Sequence, residues 1–140
     1  MTHEDARQFV KTHLKNRGNE EVVRTEALCR YWWRKLNEAV FYDRLHKVSN
    51  IIIARPKSAF AWVSGIHGTD GRVELKIQES FPSRLLFLNV LVHEMVHAWE
   101  YQHHTVMGHG KRFFAWKGRI WRTVGLDLQV SFDEEDFRNE

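Results

Sequence analysis

Residues 84–99 read Arg-Leu-Leu-Phe-Leu-Asn-Val-Leu-Val-His-Glu-Met-Val-His-Ala-Trp. After Arg84 the polar interruptions are Asn89, His93, Glu94 and His97. A helix that is apolar nearly all round is a buried helix, so this stretch is expected to be the central helix of the fold. Burying two imidazoles and a carboxylate without partners is costly, and their spacing suggests what offsets that cost. Positions i and i+4 lie on one helix face, a turn apart. His93 and His97 can therefore face one metal ion, with Glu94 beside it to take a proton from water. The bare pattern His-Glu-x-x-His is moderate evidence. With 9 His in 140 residues, roughly one shuffled chain in twenty would contain it. The apolar setting raises its weight. The competing reading is a core helix whose histidines are merely hydrogen-bonded.

A catalytic zinc usually keeps three protein ligands and one open position. His103, His104 and His109 follow downstream, and Glu134 is a more distant carboxylate. His103 stands at the metzincin interval after His97, but metzincins place a glycine midway for a sharp turn, and here that position is Glu100. The helix is expected to run on through Tyr101 and carry His103 to another face. His109 lies between Gly108 and Gly110, where glycines permit positive φ and a tight return to the metal. His109 is the preferred third ligand, with His103, His104 and Glu134 as alternatives.

The stretch His93-Glu94-Met95-Val96-His97-Ala98-Trp99, a spacer, then His109-Gly110-Lys111-Arg112-Phe113 resembles the SprT-like (Spartan-type) zinc metallopeptidase domain. That family carries His-Glu-x-x-His followed by His-Gly-x-x-Phe. The resemblance covers about residues 25–132. It implies an α+β, zincin-like fold, with the active-site helix packed on a small mixed sheet and additional helices at the N-terminus. It also implies one catalytic zinc held by His93, His97 and His109, with Glu94 as the catalytic carboxylate in peptide-bond hydrolysis. Spartan-like enzymes cleave proteins bound or crosslinked to DNA, so the resemblance implies DNA as a partner beside the protein or peptide substrate. Many members add a zinc ribbon with four cysteines, whereas this chain has one Cys. The expectation is a bare catalytic domain, and the ribbon's targeting role is in doubt.

Working outward, 140 residues with 43% hydrophobic content and 6 Trp fit one globular domain with a sizeable core. Residues 1–19 are expected as a helical extension and 133–140 as an acidic tail. The single Cys29 rules out an intramolecular disulfide, and a reducing, cytoplasmic compartment (nuclear if eukaryotic) is the default. No signal sequence or bilayer-length apolar run is visible, so no membrane partner is expected, and a monomer is the default. The pattern predicts helices over 4–16 and from Glu20 to about Leu45. β-Branched residues predict a strand over Val48–Ala54, with Ala59–Ser64 as a second extended piece, read as a continuation past a bend. Val73, Leu75 and Ile77 alternate as a strand, with Asp70-Gly71 at a hairpin tip. Lys111–Val124 reads as one helix, and the resemblance implies a short strand at Gly125–Val130 after it. In zincins an edge strand flanks the cleft and binds substrate by strand addition. Either Ala59–Ser64 or Arg72–Glu79 could serve.

The charge is uneven. Residues 105–125 hold five basic residues and no acid, whereas residues 126–140 hold six acids and one Arg. On a helical wheel Lys111, Arg112, Arg119 and Arg122 share an arc opposite Phe113, Trp116, Ile120, Trp121 and Val124. That arc is either a solvated face or a ridge contacting nucleic-acid phosphates, supported by Arg24, Arg30, Arg34 and Lys35. Two other function classes compete with a zinc endopeptidase. One is a non-enzymatic, zinc-stabilised DNA- or protein-binding module, which would have no need of Glu94 as a base. The other is a zinc hydrolase acting on a non-peptide amide or ester.

Overall fold

The computed structural model describes residues 2–54 and 59–132. The end of the first predicted strand at Arg55-Pro56, the alternative ligand Glu134 and the acidic tail 133–140 lie outside the described residues. The fold is α+β: α1 (His3–Arg17), α2 (Thr25–Val40), β1 (Asn50–Ile53), β2 (Ala61–Gly65), β3 (Val73–Ile77), α3 (Arg84–His104), α4 (Lys111–Phe114) and α5 (Lys117–Val124). Every residue of α3 from Leu86 to Ala98 is buried, as its all-round apolar pattern requires. Ser83 starts it, its Oγ accepting from Leu86 N at 3.2 Å, a cap worth about 1 kcal/mol.

The sheet has the order β1-β3-β2, with β1 parallel and β2 antiparallel to β3. Ala59–Ser64 is therefore no continuation of the first strand. Its core, β2, lies on the far side of β3, an edge strand among the described residues. Ala61, Val63, Val73, Leu75 and Ile77 are buried towards the core, on the inner face of the pleat. The last turns of α3 come very close to the β2–β3 hairpin. A side chain on Gly65 would collide with the Tyr101 ring, and one on Gly71, which has φ 67°, would meet the Gln102 backbone at 2.8 Å. Gln102 is fastened on its other side, accepting from His46 N at 2.8 Å and donating to Arg44 O at 2.8 Å. Glycine at these two positions and this amide together fix where α3 lies.

α2 is shorter than the expected Glu20–Leu45. Val22 is diverted into a bridge with Phe81, and Arg24 takes a left-handed conformation, φ 58°, at the N-cap. Tyr42 and Asp43, also left-handed, end the helix, and buried Asn37 closes that turn by bonding Leu45 O and N at 2.8 and 3.1 Å. The last carbonyls of α2 receive donors from its neighbours. His3 Nδ1 donates to Glu38 O (2.7 Å), Arg7 Nε to Ala39 O (3.0 Å) and Arg119 Nε to Val40 O (2.9 Å). Donors and positive charge there satisfy orphan carbonyls and oppose the helix dipole. α1 therefore packs into the same core, with Ala6 and Val10 fully buried, and its N-terminus is held by a Thr2–Asp5 capping box. Trp32, Trp33 and Cys29 are buried on the inner side of α2. No helix among the described residues is long and apolar enough to cross a membrane.

Candidate metal centre

Four buried polar residues of α3, Asn89, His93, His97 and Glu100, fall on one stripe at helical spacing, with Glu94 to one side of it. Each has a partner. Asn89 Oδ1 accepts from Asp127 N at 2.8 Å, which anchors the segment after α5. Two residues on, Gln129 O accepts from His93 Nδ1 at 2.6 Å. A carbonyl only accepts, so the ring proton sits on Nδ1 and the Nε2 lone pair is bare. His97 Nδ1 donates to Glu100 Oε1 at 3.0 Å, with the same result.

His109 completes the group. After α3 the chain reverses at Thr105, left-handed with φ 59°, and runs through 106–108 to bring His109 over the helix. Neither Gly108 nor Gly110 has positive φ, so the turn is not made by the flanking glycines as expected. The three Nε2 atoms lie 3.2 Å (93–97), 3.1 Å (97–109) and 3.4 Å (93–109) apart. Nitrogens bound at about 2.0–2.1 Å on a tetrahedral ion stand about 3.4 Å apart, so the donor triangle fits such an ion. Two neutral imidazoles aim lone pairs into this triangle. Burial, then the neighbouring His97 and His109, push the His93 pKa down to about 4; burial and His109 do the same for His97. Converging lone pairs repel, and a cation between them turns that repulsion into attraction.

Two buried carboxylates flank the triangle. Glu94, 6% exposed, keeps Oε1 3.9 Å from His93 Nε2 and accepts from Val63 N at 3.0 Å through Oε2. Burial raises its pKa to about 8 against the lowering effect of that N–H. Burial also raises Glu100. Among the described residues neither carboxylate makes an ion pair with Lys or Arg. A cation held by the three histidines would supply the opposite charge that two buried acids require.

Beneath the imidazoles lies Phe113, fully buried, its ring centroid 4.9 Å from each of His93, His97 and His109. The open side is a cleft of about 300 Å³ between Ala59–Ala61, Val90 and Val130–Phe132, with His93 and Glu94 in its wall. Flanking β2, Phe60 O accepts from Gln78 N and Ile66 N donates to Arg72 O, at the two ends of β3, so by alternation the backbone groups of Ala61 and Val63 point to the free edge. Val63 gives its N–H to Glu94 there. β2, not the central β3, is thus the edge beside the carboxylate.

The structure brings together His93, His97, His109 and Glu94. His103 is exposed and turned away, stacked on Trp99 at 3.8 Å with Nδ1 donating to Trp99 O; His104 is also exposed. The basic ridge is partly revised. The predicted helix breaks at 115–116 into α4 and α5. Lys111, Arg112 and Arg122 are exposed, but Arg119 is tucked against α2 and lies over the Tyr42 ring at 4.3 Å. Trp121, assigned to the core side, is 62% exposed, and Phe114 is 40% exposed. Residues 125–130 form no strand; they run irregularly, burying Leu126 and Leu128. Sequence reasoning missed Glu100 and Gln129 as partners of the ligands. Glu100 had a legible signal, an acid one turn beyond His97 on its face; a backbone carbonyl such as that of Gln129 leaves none. No protein-family model matches this chain, and no curated protein matches it.

Proposed function

We propose that this chain is a zinc-dependent endopeptidase of SprT-like type, using Glu94 as its proton carrier. The observation that carries the reading is the place of Glu94, with one oxygen directed at the imidazole cluster and the other on the backbone of an edge strand. His93, His97 and His109 would hold the ion. When bound, zinc supplies Lewis acidity that acidifies water and draws charge from a carbonyl. Glu94 Oε1 takes the proton of the attacking water and passes it to the leaving amine. Val63 N–H fixes the carboxylate's orientation during both transfers. The free edge of β2, at Ala61 and at the Val63 carbonyl, offers an extended peptide backbone hydrogen bonds with little sequence preference. The apolar lining from Phe60, Val90 and Val130 excludes water beside the scissile bond.

Glu94→Gln tests this. Casein cleavage should fall by at least about a hundredfold, within the range for loss of a general base, while zinc content and the folded far-UV spectrum stay unchanged. Surviving cleavage would sink the mechanism. A zinc-binding protein that cleaves no peptide in either form would favour the binding module or the non-peptide hydrolase.

A second reading concerns nucleic acid. The exposed residues of α4 and α5 include the cations Lys111, Arg112 and Arg122 and the rings of Phe114 and Trp121. Cations beside open aromatic faces suit single-stranded nucleic acid, whose phosphates and unpaired bases they match. Lys117 contributes less, since it pairs with Asp127 at 2.7 Å.

A further inference from the structure

We infer that Glu100 is a positioning residue that couples the two halves of the metal centre, holding the helix-borne ligand His97 and the loop-borne ligand His109 in register through one carboxylate oxygen. This rests on the metal-centre reading above. Glu100 Oε1 accepts from His97 Nδ1 at 3.0 Å and from Gly108 N at 3.4 Å. Gly108 directly precedes His109. The residue is 4% exposed, although the neighbouring Thr105, Val106 and His109 are exposed.

The loop between α3 and α4 has hydrogen bonds at its ends. Thr105 N donates to Tyr101 O, and Gly110 O accepts from Phe114 N. Between those ends, apart from the His109 imidazole set against His93 and His97, Glu100 is its polar attachment to α3 among the described residues. An unattached loop must lose conformational freedom when His109 closes on an ion, and that loss subtracts from affinity. The carboxylate removes part of it in advance. The same oxygen keeps the proton of His97 on Nδ1, so that Nε2 is ready as a ligand. A carboxylate that fixed one ring alone would do only the second of these.

The test compares wild type, Glu100→Ala and Glu100→Gln, each also in a His109→Ala background. Zinc affinity is read by chelator competition, and the tautomer of His97 by ¹H–¹⁵N imidazole spectra of the metal-free protein. Glu100→Ala should lower affinity ten- to hundredfold. Glu100→Gln should recover most of it, because the amide oxygen can still accept both bonds. In the His109→Ala background the loss from Glu100→Ala should shrink, since the tethered loop no longer bears a ligand. Metal-free His97 should be the Nδ1–H tautomer in wild type and Glu100→Gln, and mixed in Glu100→Ala. Wild-type affinity in Glu100→Ala, an equal loss in both backgrounds, or an unchanged tautomer would each overturn the inference. A wild type that binds no zinc would overturn the metal-centre reading itself.

Discussion

Phe113 shows how one residue serves both the core and the site. It follows His109 by one helical turn in the sequence His-Gly-Lys-Arg-Phe, and α4, only four residues long, turns it under the ligands. Its ring stacks on His97 at an interplanar angle of 26° and meets the other two edge-on or tilted. Truncating a fully buried Phe costs about 3–5 kcal/mol. Phe113→Ala should therefore lower the unfolding free energy of the metal-free protein by about that amount, read by urea denaturation, and weaken zinc binding because the three imidazoles lose their floor. A loss under about 1 kcal/mol would mean the site collapses onto the gap or that the ring is not packed as described. The ligands were legible at this scale because a four-residue interval on an apolar helix leaves few alternatives. Their partners were less so, because hydrogen bonds to Gln129 O and Val63 N come from backbone whose position depends on the whole fold.

At the scale of elements, α3 was readable from its apolar run and β3 from its alternation. Boundaries set by tertiary contacts were not. The start of α2 yields to the Val22–Phe81 bridge, and residues 125–130 bury Leu126 and Leu128 against neighbouring elements rather than in a ladder. The wheel over 111–124 placed Trp121 inside because it assumed that hydrophobic residues share the buried arc. Phe113, Ile120 and Val124 fill that arc, and Trp121 is left in solvent beside Arg122. If that face binds single-stranded nucleic acid, Trp121→Ala should weaken binding to a fluorescent oligothymidine by about 1–3 kcal/mol, the worth of one stacked base. Arg122→Ala should flatten the salt dependence by roughly one phosphate contact. Arg119→Lys should act mainly on stability, because its guanidinium is engaged with Val40 O and Tyr42. Unchanged affinity in both Trp121→Ala and Arg122→Ala would remove the nucleic-acid reading.

The whole molecule responds to pH through the same buried groups. His93 and His97 titrate near 4 instead of 6.5 when folded. The unfolded chain therefore binds their protons first, and each takes stability away as pH falls from about 6.5 towards 4. Glu94, raised from 4.5 to about 8, acts oppositely, losing stability as pH rises through that window. Below about 6.5 the three lowered histidines, His93, His97 and His13, outweigh the two raised carboxyls, Glu94 and Glu100, and above it the carboxyls act without them. The metal-free protein should thus show its highest thermal midpoint near pH 6.5, and a midpoint rising steadily from pH 6.5 to 8 would contradict these shifts. The central claim is that three histidines from one helix and one loop form a single metal centre. Elemental analysis of purified wild type, His109→Ala and His103→Ala tests it most directly. The account predicts about one zinc per chain in wild type and His103→Ala, with His109→Ala binding too weakly to retain its zinc through purification. Zinc kept in His109→Ala and lost in His103→Ala, or absent from wild type after reconstitution, would contradict it.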